Sequence, residues 1–240
     1  MTDPVAAFKA LHVPGDPLML FNIWDAGSAR AVARAGAKAI ATGSYGVAEA
    51  QGFSDGEDFS IDDALRNLER VLRVTDLPVT LDFESGYGAT AAEVGQSVER
   101  ARAAGAAGIN MEDRMPGQAE LIPLAEAADR MAAAASSGLF VNARCDVYRG
   151  VKPEALGQGQ IDAVLERAEA YAAAGASGLF VPFLGDHAAI TAICASSPLP
   201  VNILWGPGRG THAELAACGV ARISYGHGPW AAAMDWLEGQ

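Results

Sequence analysis

The chain has 240 residues with a formal net charge of −12, half of it hydrophobic and 19% charged, so it can bury a large core and is not broadly disordered. An acidic balance of 29 to 17 argues against nucleic acid or an anionic membrane as partner, and no apolar run reaches membrane-spanning length. MTDPVAAFKALH lacks the order of a secretion signal, and Cys145, Cys194 and Cys218 are scattered, so a reduced, cytoplasmic protein without a disulfide framework is expected.

Short apolar runs recur along the chain at 18–25, 39–44, 78–84, 108–113, 139–146, 178–183, 200–205 and 220–226. Helix-like stretches such as 61–74 and 161–174 lie between them. Ala35-Gly36-Ala37, Ala104-Gly105-Ala106, Ala174-Gly175-Ala176 and Cys218-Gly219-Val220 each read as a helix ending on a glycine cap, followed at once by a buried strand. Eight strands at about 30 residues per unit fit an α/β fold, the (β/α)8 TIM barrel, formed as one domain over 1–240. The rival, a doubly wound open sheet, normally has a glycine-rich turn after its first strand, and that turn here is Trp24-Asp25-Ala26-Gly27-Ser28.

Barrel chemistry gathers at the C-terminal ends of the strands. Here those ends carry Asp25, Ser44, Asp82, Glu84, Glu112, Asp113, Arg144, Asp146 and Ser224. Alternation along the third run places Thr80, Asp82 and Glu84 on one face and Val79, Leu81 and Phe83 on the other. The apolar set belongs against the helices, so both carboxylates point into the mouth. The same parity turns Asn110, Glu112, Asn142, Arg144 and Asp146 inward and Cys145 outward, as a packed thiol. Asp82, Glu84 and Glu112 then converge, and three close carboxylates do not all ionise without a cation. Hard oxygen donors without histidine or thiolate favour Mg²⁺, with Mn²⁺ as the substitute. The alternative is that they pair with Arg144 or with helix N-termini.

Lys9, Lys38 and Lys152 all fall outside the strands, which argues against Schiff-base chemistry. His12 and His187 read as surface residues, His212 begins a helix, and His227 follows the last strand within reach of the mouth. Residues 206–211, GPGRGT, open a helix either as a phosphate-binding turn or as a plain turn capped by Thr211.

Five segments in chain order carry a resemblance: NIWDAGSAR (22–30), TGSYG (42–46), LDFESGYG (81–88), NMED (110–113) and NARCD (142–146). They resemble motifs of the isocitrate lyase/phosphoenolpyruvate mutase superfamily, whose signature usually reads D-x-D-T-G-Y-G. The resemblance implies a Mg²⁺-dependent enzyme acting on a small 2-oxo or 2-hydroxy carboxylate, and a homo-oligomer (dimer or tetramer). It implies that Asp82 touches the metal, with Asp55, Glu84 and Glu112 holding it largely through waters. Arg144 would clamp a substrate carboxylate or phosphonate, and Ser44, Tyr45 and Gly46 would hold the carboxylate next to the reacting carbonyl. The candidate catalytic set is thus Asp82, Glu84, Arg144 and Tyr45, and the substrate-binding set is Trp24, Ser44, Tyr45, Gly46, Arg144 and Asn202. Two departures stand out. Glu84 replaces an Asp of the signature, and residues 114–123 lack the Cys, Lys and His of the family's gating loop, which argues against the usual isocitrate or methylisocitrate cleavage. The proton donor stays open among Tyr45, Arg114 and a metal-bound water. The leading expectation is a lyase or hydrolase breaking a C–C bond of an oxaloacetate-like acid through an enolate. Phosphonopyruvate C–P chemistry is second, and a metabolite-binding barrel without turnover is third.

Overall fold

The computed structural model describes residues 3–152 and 156–240. Its strands are β1 (Leu18–Leu20), β2 (Asn22–Ile23), β3 (Ile40–Thr42), β4 (Val79–Asp82), β5 (Gly108–Glu112), β6 (Phe140–Arg144), β7 (Gly178–Val181), β8 (Val201–Leu204) and β9 (Arg222–Ser224). Its helices are α1 (Pro4–Ala10), α2 (Ala26–Arg34), α3 (Ser44–Glu49), α4 (Ile61–Leu72), α5 (Ala91–Ala103), α6 (Leu124–Ala135), α7 (Gln158–Ala173), α8 (His187–Ser196), α9 (His212–Ala217) and α10 (Gly228–Glu238).

All strand pairs are parallel, in the order β1-β9-β8-β7-β6-β5-β4-β3-β2. The two ends of that order are halves of one stave. The first apolar run, expected as a single strand, breaks at Phe21: its first half pairs with β9 and its second with β3. The break lets one stave serve both neighbours and closes the eight-stave TIM barrel. Phe21 turns outward and stacks on Tyr225 with ring centroids 4.0 Å apart.

Parity holds along the staves. Val79, Leu81, Phe83, Ile109, Met111, Val141, Ala143, Cys145, Leu179, Val181, Ile203 and Ile223 join one large buried cluster with the helices. Cys145 is fully buried there, and burial pushes its thiol well up. The glycine caps fall as expected, with Gly36, Gly105, Gly175 and Gly219 at φ between 91° and 99°, a conformation only glycine adopts at little cost. The inward residues are unusually polar for a barrel: Thr80, Asn110, Asn142, Asn202 and Arg222 are all buried, and Asn142 Nδ2 donates to Asn110 Oδ1 at 2.9 Å.

The floor of the barrel corrects one expectation. His12 is not a surface residue. Helix α1 crosses the N-terminal ends of the strands and buries Phe8 against Leu18, Leu20, Ala39, Ala41, Ala107 and Phe140. His12 follows it under the barrel and stacks on Phe140 at 4.2 Å, and burial drives its pKa down to about 3. His187 is half-buried as well, its Nε2 lying 3.1 Å from the Arg209 carbonyl. At the other end of the chain, α10 buries none of its residues and leaves Trp236 and Leu237 exposed.

Candidate active site

Strand β4 ends at Asp82, one residue pair earlier than alternation suggests. Glu84 still reaches the mouth, but by a turn. Among the described residues, the non-glycine positions with positive φ are Glu57 (65°), Glu84 (48°) and Tyr87 (50°). Each costs on the order of 1 kcal/mol, and all three belong to one structure. The Glu57 carboxylate accepts from Ser85 N at 3.0 Å, Ser85 Oγ at 2.5 Å and Tyr87 N at 3.1 Å. In return the Glu57 backbone N–H stabilises the Glu84 carboxylate. The loop that carries Asp55 is thereby latched to the turn after β4. Sequence reasoning missed Glu57; its signal was its place two residues after Asp55 in an acidic loop.

Asp82 is held from the β3 side. Its Oδ2 accepts from Ser44 N and Ser44 Oγ, each at 3.1 Å, and its backbone N–H donates to Thr42 Oγ1 at 2.9 Å. Burial raises its pKa against the pull of Arg144 and Ser44, and Asp55 adds to the rise. Glu84 is pushed up to about 8 by burial and by Asp55, Asp82 and Glu112. Burial takes Glu112 to about 7 despite Arg144 beside it. Asp55, Asp82, Glu84 and Glu112 therefore act on one another electrostatically.

Glu112 is also ion-paired. Arg144 Nη2 lies 3.0 Å from Glu112 Oε2, and Arg149 Nη1 lies 3.8 Å from the same oxygen. The alternative of pairing with arginine thus holds for this member of the set. Arg144 points one edge at fully buried Asp146, with Nε at 2.7 Å from Oδ1 and Nη2 at 3.0 Å from Oδ2. Burial alone would depress Arg144, but Glu112 and Asp146 hold it firmly charged. Among the described residues its Nη1 makes no hydrogen bond or ion pair.

Among the described residues, no three His, Cys, Asp or Glu side chains close around a point as direct metal ligands. The donor set still fits Mg²⁺. It is all oxygen, burial with help from neighbouring carboxylates raises Glu84 to about 8 and Glu112 to about 7, and carboxylate donors suit a hard, strongly hydrated ion.

The remaining candidates are distributed differently. Trp24 packs beside Val47, Ala48 and Phe59, next to the recess at Asp82. Gly46 is in α3, where an added Cβ would lie 3.0 Å from the Trp230 Cβ. Tyr45 is exposed and faces His227 and Trp230, with centroids 5.5 and 5.6 Å away. Asn202 lies in the buried interior, in register with Arg222, and its Oδ1 accepts from Ser224 Oγ at 3.1 Å. It is two residues short of the end of β8, hence below the mouth. Asp113 faces away: it accepts from Tyr171 Oη at 2.7 Å and Arg167 Nη1 at 3.1 Å, bracing the staves.

Segment 114–123 is closed on itself. Arg114 bridges Leu121, and Arg114 is buried against Asp146, with Nη2 donating to the Asp146 carbonyl at 3.3 Å. The 206–211 turn takes the plainer of its two readings. Thr211 and Glu214 form a capping box on α9, and Arg209 ties down the carbonyls of Pro182 and Leu204.

The family model described as phosphoenolpyruvate phosphomutase matches residues 8–240. A solved Burkholderia cenocepacia protein, provisionally assigned as a phosphonomutase, is 49% identical, with 98% of this chain and 96% of that chain covered and a TM-score of 0.96. An uncharacterised Mycobacterium tuberculosis protein is 35% identical over 234 residues, 95% of this chain and 84% of that one. A phosphonopyruvate hydrolase solved with oxalate and Mg²⁺ shares the fold alone, at 22% identity, TM-score 0.84, with 99% and 85% of the two chains covered.

Proposed function

The chain belongs to the phosphoenolpyruvate phosphomutase family, and from that premise we propose that it is a Mg²⁺-dependent lyase or hydrolase that breaks the C–C bond of an oxaloacetate-like 2-oxo acid. The superfamily includes oxaloacetate acetylhydrolase, 2,3-dimethylmalate lyase and phosphonopyruvate hydrolase. What supports the reading is that Asp82 and Glu84 line one recess, with Glu112, paired to Arg144 at 3.0 Å, acting electrostatically on Glu84.

Asp82 is the direct metal ligand in this proposal, and Asp55, Glu84 and Glu112 hold the ion through water. Mg²⁺, when bound, supplies an electrophile that takes up the negative charge gained by the oxo acid as its bond opens. Arg144, locked by Asp146, orients the substrate carboxylate with a fixed donor. Ser44, whose N–H and Oγ hold Asp82, sets that ligand's direction and reaches substrate from the same place; Gly46 keeps α3 close under Trp230. Trp24 and Tyr45 line the approach, and Asn202 supports the site from beneath. Residues 114–123 carry no loop cysteine, so in this reading the proton reaching the product comes from Tyr45, Arg114 or water.

Residues 1–240 are read as one barrel domain, in a cytoplasmic homo-oligomer; no helix among the described residues is long and apolar enough to cross a membrane. The bare face of α10, with Trp236 65% exposed, supports a second copy as partner. Likeness to the Burkholderia cenocepacia protein provisionally assigned as a phosphonomutase favours a second reading, C–P chemistry on phosphonopyruvate. Purified protein with Mg²⁺ is to be incubated with oxaloacetate, methylisocitrate, isocitrate and phosphonopyruvate. Release of oxalate or pyruvate from oxaloacetate supports the first reading and phosphate release the second. Ligands that only raise the melting temperature would reject both in favour of a binding protein.

A further inference from the structure

The turn that delivers Glu84 to the mouth is also held by an arginine outside every motif singled out in the sequence. Arg130 belongs to α6, and it is 1% exposed where it reaches the turn after β4. Its Nη2 donates to the Ser85 carbonyl at 2.8 Å and to the Gly88 carbonyl at 2.9 Å, and its Nη1 donates to the Ala89 carbonyl at 3.1 Å. Ser97 Oγ donates to the Tyr87 carbonyl at 2.8 Å. Glu57 meanwhile accepts from the N–H groups of Ser85 and Tyr87. The turn is thus clamped between an anion that takes its donors and a cation that takes its acceptors.

The cation is costly there. Among the described residues Arg130 forms no ion pair, and its acceptors are neutral carbonyls. A buried charge without a carboxylate partner carries a desolvation penalty. What the guanidinium brings in return is a planar fork of donors that spans several carbonyls at once. Those carbonyls belong to the residue next to Glu84 and to the exit of the turn. With Glu84 at φ 48° and Tyr87 at 50°, regular strand or helix pairing does not hold this segment, so the direction of the Glu84 carboxylate depends on the clamp.

We propose that Arg130 is a positioning residue that presets the Glu84 turn and so makes the carboxylate site selective for Mg²⁺ over Ca²⁺. The proposal rests on the Mg²⁺ role proposed above and adds the residue that fixes the shape of the site. Mg²⁺ demands near-ideal octahedral geometry, whereas Ca²⁺ takes more oxygen ligands in flexible arrangements. A loosened turn therefore costs the smaller ion more.

The test is titration calorimetry of the full chain with Mg²⁺ alone and with Ca²⁺ alone, at a temperature well below the metal-free melting point of each variant. Arg130→Gln should weaken Mg²⁺ by about tenfold or more, the scale expected when a group that orients metal-holding carboxylates is lost, and should weaken Ca²⁺ by less than about threefold, since that ion tolerates irregular placement. Arg130→Lys, which keeps the charge and loses the fork, should fall between wild type and Gln. If the Gln variant does not fold, the Lys variant decides by the same narrowing of the Mg²⁺ to Ca²⁺ preference. Equal weakening of the two ions would make Arg130 a general support of the fold and would overturn the inference, as would an unchanged Mg²⁺ affinity. Wild-type protein that takes up neither ion would overturn the metal-dependent function itself, a result separable from the first two.

Discussion

Replacing Glu57 by Ala removes the acceptor of three hydrogen bonds, from Ser85 N, Ser85 Oγ and Tyr87 N. The two N–H donors belong to a turn in which Glu84 and Tyr87 both hold positive φ, so nothing regular in the backbone replaces the lost partner. A hydrogen bond onto a charged acceptor is worth roughly 1.5–3 kcal/mol when shielded, and nearer ~1 kcal/mol where water can substitute. Glu57 is half-buried, so the lower figure applies and the three together give about 3 kcal/mol. For a chain of this size that lowers the melting temperature by about 6–12 °C. The same latch fixes Glu84 and the loop of Asp55, so Mg²⁺ affinity should fall by about tenfold, as for other partners that orient metal-holding carboxylates. Glu57→Gln keeps an acceptor oxygen and should lose about half of each effect. Thermal melts with and without Mg²⁺, together with titration calorimetry, read both quantities. An Ala variant that melts within about 2 °C of wild type and binds Mg²⁺ equally well would refute the latch.

Asp82→Ala should abolish turnover and Mg²⁺-dependent stabilisation together; an active variant would remove the metal from the mechanism. Cys145→Ala, in the outer core, should cost about 1 kcal/mol of stability and keep activity within a few-fold, and a loss of orders of magnitude would show that the inward and outward faces are assigned wrongly. In the metal-free protein, Glu84 near 8 and Glu112 near 7 lie above the ordinary 4.5. The folded state then binds more protons than the unfolded one between those values, so stability should fall as pH rises from about 5 to 8. Melts across that range check the sign, and a rise would contradict it. Mg²⁺ binding near pH 7 should release protons, seen as a buffer-dependent binding enthalpy.

The strand and helix alternation was legible because each signal is local. A glycine after an Ala-rich stretch marks a helix end whatever follows, and a buried strand advertises itself by its own apolar run. Side-chain parity was legible for the same reason, up to the residue where a strand stops: it put Asp82, Glu112 and Arg144 inside and Cys145 outside. The motifs pointed to the family, and the match over residues 8–240 agrees. Other features lay beyond periodicity. The break at Phe21 exists because one stave must meet neighbours from both ends of the chain. His12 is half-buried because α1 folds across a floor that only the closed barrel provides. Glu84 reaches the mouth through a left-handed turn, not through alternation, and Glu57, 28 residues from Ser85 in sequence, holds that turn in place. The sequence alone could name the charged groups, but which oxygen meets which donor depends on contacts between loops distant along the chain. Only closure of the barrel brings those loops within hydrogen-bonding range.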